Sequence, residues 1–197
     1  MIVRFATSNV KKVEAAQRAL GEFGITVEQV DIDLIESRAE DSADIAMEKA
    51  RQAFKELGHP VIVDDTGFYI EALGGFPMTH VKFSLKTLGI NNILQMMENK
   101  ANRCAEWRTT LAFVWGVDKF KSFTFAEKGE LAKEVRPELR PMMSDYHRVF
   151  IPKIMSPDNQ LALSEIIGDE LVKWRRYTAT HNHYQMFGKW YSTQNEM

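Results

Sequence analysis

The sequence predicts an α/β fold: a mixed central sheet with flanking helices, arranged as two lobes around a cleft within a single domain, 1–197. Three observations carry that expectation. From Ile2 to Val63 short apolar runs alternate with stripes of helical period, the order of an open sheet with parallel pairing. The second half instead holds two β-rich runs separated by a polar dipeptide, the pattern of an antiparallel hairpin. Finally, 197 residues that are 45% hydrophobic and 26% charged have ordinary globular composition, with no repeat, low-complexity tract or Pro/Gly/Ser linker to divide them.

Taken in order, Ile2 to Ala6 reads as a short buried strand. Val13, Ala16, Leu20 and Phe23 then recur at helical spacing, with Gly21 and Gly24 where that helix should end. Val30, Ile32 and Leu34 alternate with Asp31 and Asp33, the period of a half-buried strand. Ser42 is placed to cap a helix whose apolar face is Ile45, Ala46, Ala50, Ala53, Phe54 and Leu57, stopped by Gly58 and Pro60. Val61-Ile62-Val63 is a further buried strand.

Beyond it, Thr79 to Leu88 and Asn92 to Met97 read as helices, and Arg108 to Val117 with Phe120 to Ala126 as a hairpin turning at Asp118-Lys119. The aromatic run Phe113, Trp115, Phe120, Phe123 and Phe125 reads as hairpin core. Val149-Phe150-Ile151 is a short strand closed by Pro152, and helices follow near Gly168 to Trp174 and Thr180 to Trp190.

The charges nearly cancel, 25 Lys+Arg against 27 Asp+Glu for a net of −2, so a chain that coats polynucleotide by electrostatics is disfavoured; Arg175-Arg176 is only a short basic patch. The apolar run Leu111 to Val117 is too short to cross a bilayer. The opening Met-Ile-Val-Arg-Phe-Ala-Thr has no basic stretch followed by an apolar one, so no signal peptide is expected. The single cysteine, Cys104, excludes an intrachain disulfide and a Cys-cluster zinc site and reads as a small buried apolar group. The expectation is a cytoplasmic protein with neither membrane nor polynucleotide partner.

Two segments carry chemistry. Thr7-Ser8-Asn9-Val10-Lys11-Lys12 lies between a strand and a helix, where unpaired N–H groups and the positive end of the helix dipole converge and suit phosphate. Thr7, Ser8 and Asn9 add donors, and Lys12 sits in the first helical turn; the alternative is that Ser8 or Asn9 simply caps the helix. The segment carries neither GxxxxGK[ST] nor GxGxxG. Asp64 and Asp65 follow an apolar strand at the edge where open α/β sheets bind ligands. Neighbours on a strand face opposite ways, so one of the pair can face the cleft while the other anchors the loop. The carboxylate that faces the cleft can hold Mg²⁺ or take a proton from water; the alternative is a turn whose Asp side chains bond their own backbone.

Glu36 follows the second strand and can reach the same edge of the sheet; alternatively it is a solvated loop acid. Lys49 interrupts an apolar helix face, either to snorkel or to meet an anion. His181 and His183 stand about 200° apart on a helix, which argues against joint metal ligation.

In order and spacing these segments resemble the inosine/xanthosine triphosphate pyrophosphatases. Thr7-Ser8-Asn9-Val10-Lys11-Lys12-Val13-Glu14 is similar to that family's Thr-Gly-Asn-x-x-Lys-x-x-Glu opening, Glu36 to its loop acid, and Ala46-Met47-Glu48-Lys49-Ala50 to its Ala-x-x-Lys-Ala helix. Asp64-Asp65-Thr66-Gly67 followed by Ala72-Leu73-Gly74-Gly75-Phe76-Pro77 is the most specific match. The resemblance implies a Mg²⁺-dependent hydrolase, acting in a cleft between lobes, that splits a purine nucleoside triphosphate, of a non-standard inosine or xanthosine type, between its α- and β-phosphates.

Under that resemblance Thr7, Ser8, Asn9, Lys12, Lys49 and Thr66 bind substrate, Glu36 and Asp65 hold the metal, and Asp65 or Asp64 orients or deprotonates water, with Lys12 and Lys49 stabilising charge. Lys82 matches a basic residue common there in the family. The base-reading motifs differ: Met143 to Arg148 stands for Gly-Phe-Gly-Tyr-Asp-Pro, and Arg176-Tyr177-Thr178-Ala179-Thr180-His181-Asn182 for Lys-x-x-x-Ser-His-Arg. Arg176, Thr180, His181 and Asn182 are then the base-side contacts, and loss of the Arg fork implies altered base selectivity. The resemblance also implies a homodimer; a nucleotide-binding protein without turnover is the alternative.

Overall fold

A computed structural model of the chain describes residues 1–35, 39–154 and 156–194. The strands are β1 (Ile2–Ala6), β2 (Thr26–Val30), β3 (Val61–Ile70), β4 (Pro77–Met78), β5 (Cys104–Gly116), β6 (Lys119–Leu131) and β7 (Phe150–Pro152); the helices are α1 (Val10–Gly21), α2 (Ser42–Leu57), α3 (Val81–Thr87), α4 (Gly89–Met96), α5 (Gly168–Thr180) and α6 (His183–Tyr191). Among the described residues the sheet has seven strands in the order β2-β1-β3-β5-β6-β7, with β4 on β3. This is the mixed α/β architecture predicted: β1 pairs in parallel with β2 and β3, whereas β4 on β3 and β7 on β6 are antiparallel. Among the described residues no helix is long and apolar enough to cross a membrane.

The chain divides into two compact units, Met1–Thr66 with Thr109–Phe125 and Thr178–Met197, and Gly67–Arg108 with Ala126–Tyr177. The first unit is layered by the alternation of its strands. Val3 and Phe5 of β1, Ile62 of β3, and Leu111 and Phe113 of β5 pack with Ala16, Leu20, Tyr184 and Phe187 of α1 and α6. Ala6, Val61, Val63, Ala112 and Val114, one residue out of phase, pack with Ala46, Ala50 and Ala53 of α2. Successive strand side chains point to opposite faces, so one sheet serves two helical layers. The second unit has its own core around Phe68, Ile93, Tyr146 and Phe150.

Several boundaries depart from expectation. β2 ends at Val30, so Ile32 and Leu34 do not continue it; its partner β1 ends at Ala6, which pairs with Val30. Ile32 and Leu34 pack instead on the α2 layer. The α2 cap is Asp41, which accepts from Ala43 N at 2.8 Å, while Ser42 is buried 3.4 Å from Thr110. β5 and β6 are longer than predicted and turn at Val117-Asp118. The earlier start of β5 leaves Cys104 on the outward side, exposed, with Ala105 buried. Phe120 is also exposed, lying under Arg51. α5 extends to Thr180, past the end expected near Trp174, and α6 begins at His183 rather than near Thr180.

Candidate active site

The β1–α1 junction is the first component of the site. Thr7 N donates to Val30 O at 3.1 Å, so the loop starts from the β2 edge, and Asn9 N donates to Thr7 Oγ1 at 3.1 Å. Asn9 is the helix cap, its Oδ1 accepting from Lys11 N at 3.1 Å. Capping therefore takes the Asn9 acceptor and leaves its amide Nδ2 as the donor type for a ligand. Ser8 is exposed, and no acidic residue occupies the first turn of α1. The junction keeps the positive end of α1 and adds Lys11 and Lys12 to it.

β3 supplies the second component, and here the predicted strand end is corrected. The strand runs on to Ile70, with Phe68 and Tyr69 pairing with Met78 and Pro77, so Asp64 and Asp65 lie mid-strand. Gly67 allows this continuation, because a Cβ there would lie 2.9 Å from Met78 O and 2.8 Å from the Tyr69 hydroxyl. The two carboxylates remain beside the C-terminal end of β1, since Phe5 pairs with Ile62. That is the ligand edge of a parallel sheet.

Strand alternation then assigns each carboxylate a lysine. Asp64 shares the phase of Ile62 and faces the α1–α6 layer, where Lys12 Nζ donates to its Oδ1 at 2.5 Å and the Tyr184 hydroxyl donates to Oδ2 at 2.6 Å. His183 Nε2 lies 3.6 Å from the same Oδ2. Asp65 shares the phase of Val63 and faces α2, where Lys49 Nζ lies 3.3 Å from its Oδ1. Lys49 follows Ala46 and precedes Ala50 on the buried face of α2, so it is the turn geometry that aims its ammonium inward.

The electrostatics separate the two acids. Burial of Asp64 opposes ionisation, but the Lys12 ammonium, His183 and the hydrogen bonds outweigh it and hold the carboxyl well below the usual carboxylate range. An anion so well paired is a poor proton acceptor. Asp65 is half-buried and is the more accessible of the pair. Thr66 Oγ1 lies 3.0 Å from Thr109 Oγ1, joining β3 to β5 beside it.

The remaining predicted residues are placed as follows. Thr180 ends α5, exposed, with Oγ1 2.9 Å from Nδ1 of the exposed His181. Asn182 caps α6: its Oδ1 accepts from Gln185 N at 2.9 Å and its Nδ2 donates to Thr178 O at 2.7 Å, so both ends of the carboxamide are engaged within the chain. Lys82 on α3 and Arg176 on α5 are exposed and belong to the second unit. Glu36 lies outside the described residues.

Sequence reasoning missed Tyr184 and His183. Tyr184, Phe187 and Tyr191 recur at helical spacing on the α6 face, and a hydroxyl on such a stripe signals a buried polar partner. No group of three or more His, Cys, Asp or Glu side chains suited to a metal occurs among the described residues. The half-buried Asp65 carboxylate is nonetheless a hard oxygen donor, and magnesium commonly takes one or two carboxylates with the rest of its shell from phosphate and water. The donor set fits a substrate-borne magnesium ion.

The Ham1 family model matches residues 3–166. The dITP/XTP pyrophosphatase of Methanopyrus kandleri is 37% identical over 153 residues, 78% of this chain and 80% of the relative. The inosine triphosphate pyrophosphatase of Candida glabrata is 30% identical over 141 residues, 68% of this chain and 73% of the relative. In fold, the chain superposes on the Staphylococcus aureus Ham1 protein with a TM-score of 0.78 at 18% identity, covering 99% of this chain and 100% of the other.

Proposed function

The chain belongs to the Ham1 family, and from that premise we propose that it hydrolyses a non-standard purine nucleoside triphosphate to the monophosphate and pyrophosphate. The observation that carries this reading is the double pairing on β3, Asp64 with Lys12 and Asp65 with Lys49, beside the amino terminus of α1. Lysines paired with one buried and one half-buried carboxylate beside a helix start suit a polyphosphate, whose charge they meet without the cost of desolvating unpaired cations.

Thr7, Ser8, Asn9 and the first turn of α1 cradle phosphate oxygens in this reading, and Lys12 and Lys49 stabilise the charge that develops as the α–β bond breaks. Asp65, with Glu36 by the family resemblance, would hold Mg²⁺, which when bound would supply charge neutralisation at the phosphates and a lowered pKa for water. In this reading Asp65 also orients the attacking water, while Asp64 stays ionised and keeps Lys12 in place. Thr180 and His181 supply donors for a purine carbonyl. The family resemblance extends the reading to a cytoplasmic homodimer.

The test is pyrophosphate release with Mg²⁺ from ITP, XTP, dITP and the four standard dNTPs. Preferential turnover of the inosine and xanthosine forms is the expected result. Tight nucleotide binding with no pyrophosphate released from any of them would favour a binding protein instead.

A further inference from the structure

Tyr184 is the second residue of α6, and its ring packs in the core against Phe5, with centroids 6.2 Å apart. It is 4% exposed, yet its hydroxyl leaves the apolar layer to reach Oδ2 of Asp64 at 2.6 Å. The other oxygen of Asp64, Oδ1, accepts from Lys12 at 2.5 Å. One buried carboxylate thus spends one oxygen on the C-terminal helix and one on the first turn of α1. His183 closes the remaining side, with its ring 4.0 Å from that of Tyr184 and its Nε2 3.6 Å from Oδ2.

This arrangement does more than satisfy a phenol. A carboxylate gripped by a lysine alone can turn about its Cβ–Cγ bond and carry the ammonium with it. A second short donor on the opposite oxygen fixes the plane of the group, and hydrogen bonds to a charged acceptor are the stronger class. Burial and the adjacent Asp64 charge push the Tyr184 hydroxyl far above its ordinary value, so it stays a donor throughout the working pH range. A lysine ammonium carries three donors, and its direction decides where they point.

We propose that Tyr184 is a positioning residue for phosphate binding: through Asp64 it fixes the Lys12 ammonium at the β1–α1 loop. The inference rests on the polyphosphate reading of that loop. It assigns to α6 a role in the phosphate site that is separate from base recognition by the preceding Thr180-His181 segment.

The test is a double-mutant cycle read by calorimetric binding of inorganic triphosphate, with pyrophosphate release from ITP measured in parallel. Tyr184→Phe keeps the ring and removes the hydroxyl, and binding is expected to weaken about tenfold. In an Asp64→Asn background the same substitution is expected to cost nothing further, because its effect passes through the carboxylate. If Asp64→Asn does not fold, Lys12→Met provides the second arm, with the same expectation. Equal losses in both backgrounds overturn the proposal, as does a Tyr184→Phe protein that melts lower but binds triphosphate as the wild type does. Wild-type protein that binds triphosphate with this coupling but hydrolyses no nucleotide contradicts the enzymatic reading and leaves the positioning role standing. Wild-type protein that does not bind triphosphate overturns both.

Discussion

Asp64 and Asp65 are adjacent on β3 and belong to opposite faces of the sheet, so Asp64 meets Lys12 of α1 at 2.5 Å and Asp65 meets Lys49 of α2 at 3.3 Å. A two-residue period thereby separates two carboxylates by role: one is buried and fully engaged, the other half-buried. A slip of one residue in the register of β3 would turn each acid toward the other helix.

The depressed pKa of Asp64 links this geometry to stability. Its folded value lies below its unfolded one, so the contribution is complete above the unfolded value, about pH 4, and fades as pH falls toward the folded value. The urea midpoint of the wild type is expected to drop between about pH 4 and pH 2. Asp64→Asn, with no proton to take up, is expected to show a shallower acid limb.

Glu127 on β6 gives the opposite sign. Burial pushes its carboxyl up to about 7, partly offset by the hydrogen bond from Trp174 Nε1 at 2.7 Å. Stability from keeping the protonated form buried is complete below the unfolded value, near 4.5, and is lost as pH rises through about 7. Glu127→Gln retains an acceptor for the indole and avoids the buried charge. It is expected to unfold at higher denaturant than the wild type at pH 8, by about 3 kcal/mol at most, and to match the wild type at pH 4.

Asn182 is expected to reveal itself through stability. Asn182→Ala removes the α6 cap and should cost about 1 kcal/mol in thermal or chemical unfolding. Asn182→Asp keeps the accepting oxygen for Gln185 N and should retain most of that stability. A role in base reading alone would leave both variants as stable as the wild type.

Gly188 sets the approach of α6 to the first unit's core. A Cβ at this position would collide with the Phe23 ring. Gly188→Ala is expected to cost about 1–3 kcal/mol and, by displacing α6, to lower phosphate affinity together with the melting temperature.

Much of this was legible in the sequence. The apolar run Val61-Ile62-Val63 sets the phase that places Asp64 and Asp65 on different faces, and the helical positions of Lys12 and Lys49 put a cation at each. What was not legible depends on partners distant in the chain. Thr66-Gly67 reads locally as a turn, but pairing of Phe68 and Tyr69 with β4 keeps the backbone extended to Ile70. The alternation of Val30, Ile32 and Leu34 reads as a strand, yet β2 stops where its partner β1 does. Cys104 reads as a small buried apolar group from its residue type, but it opens β5 in the register that leaves it exposed and buries Ala105. Tyr184 falls inside the helix expected from Thr180 to Trp190, but its partner Asp64 is 120 residues away, beyond the reach of local pattern.

The most direct test of the catalytic account is product analysis for wild type and Asp65→Asn incubated with ITP and Mg²⁺. Equimolar IMP and pyrophosphate from the wild type, with turnover lost in Asp65→Asn while triphosphate binding persists, is the expected result. Release of orthophosphate in place of pyrophosphate, or an Asp65→Asn variant as fast as the wild type, would contradict it.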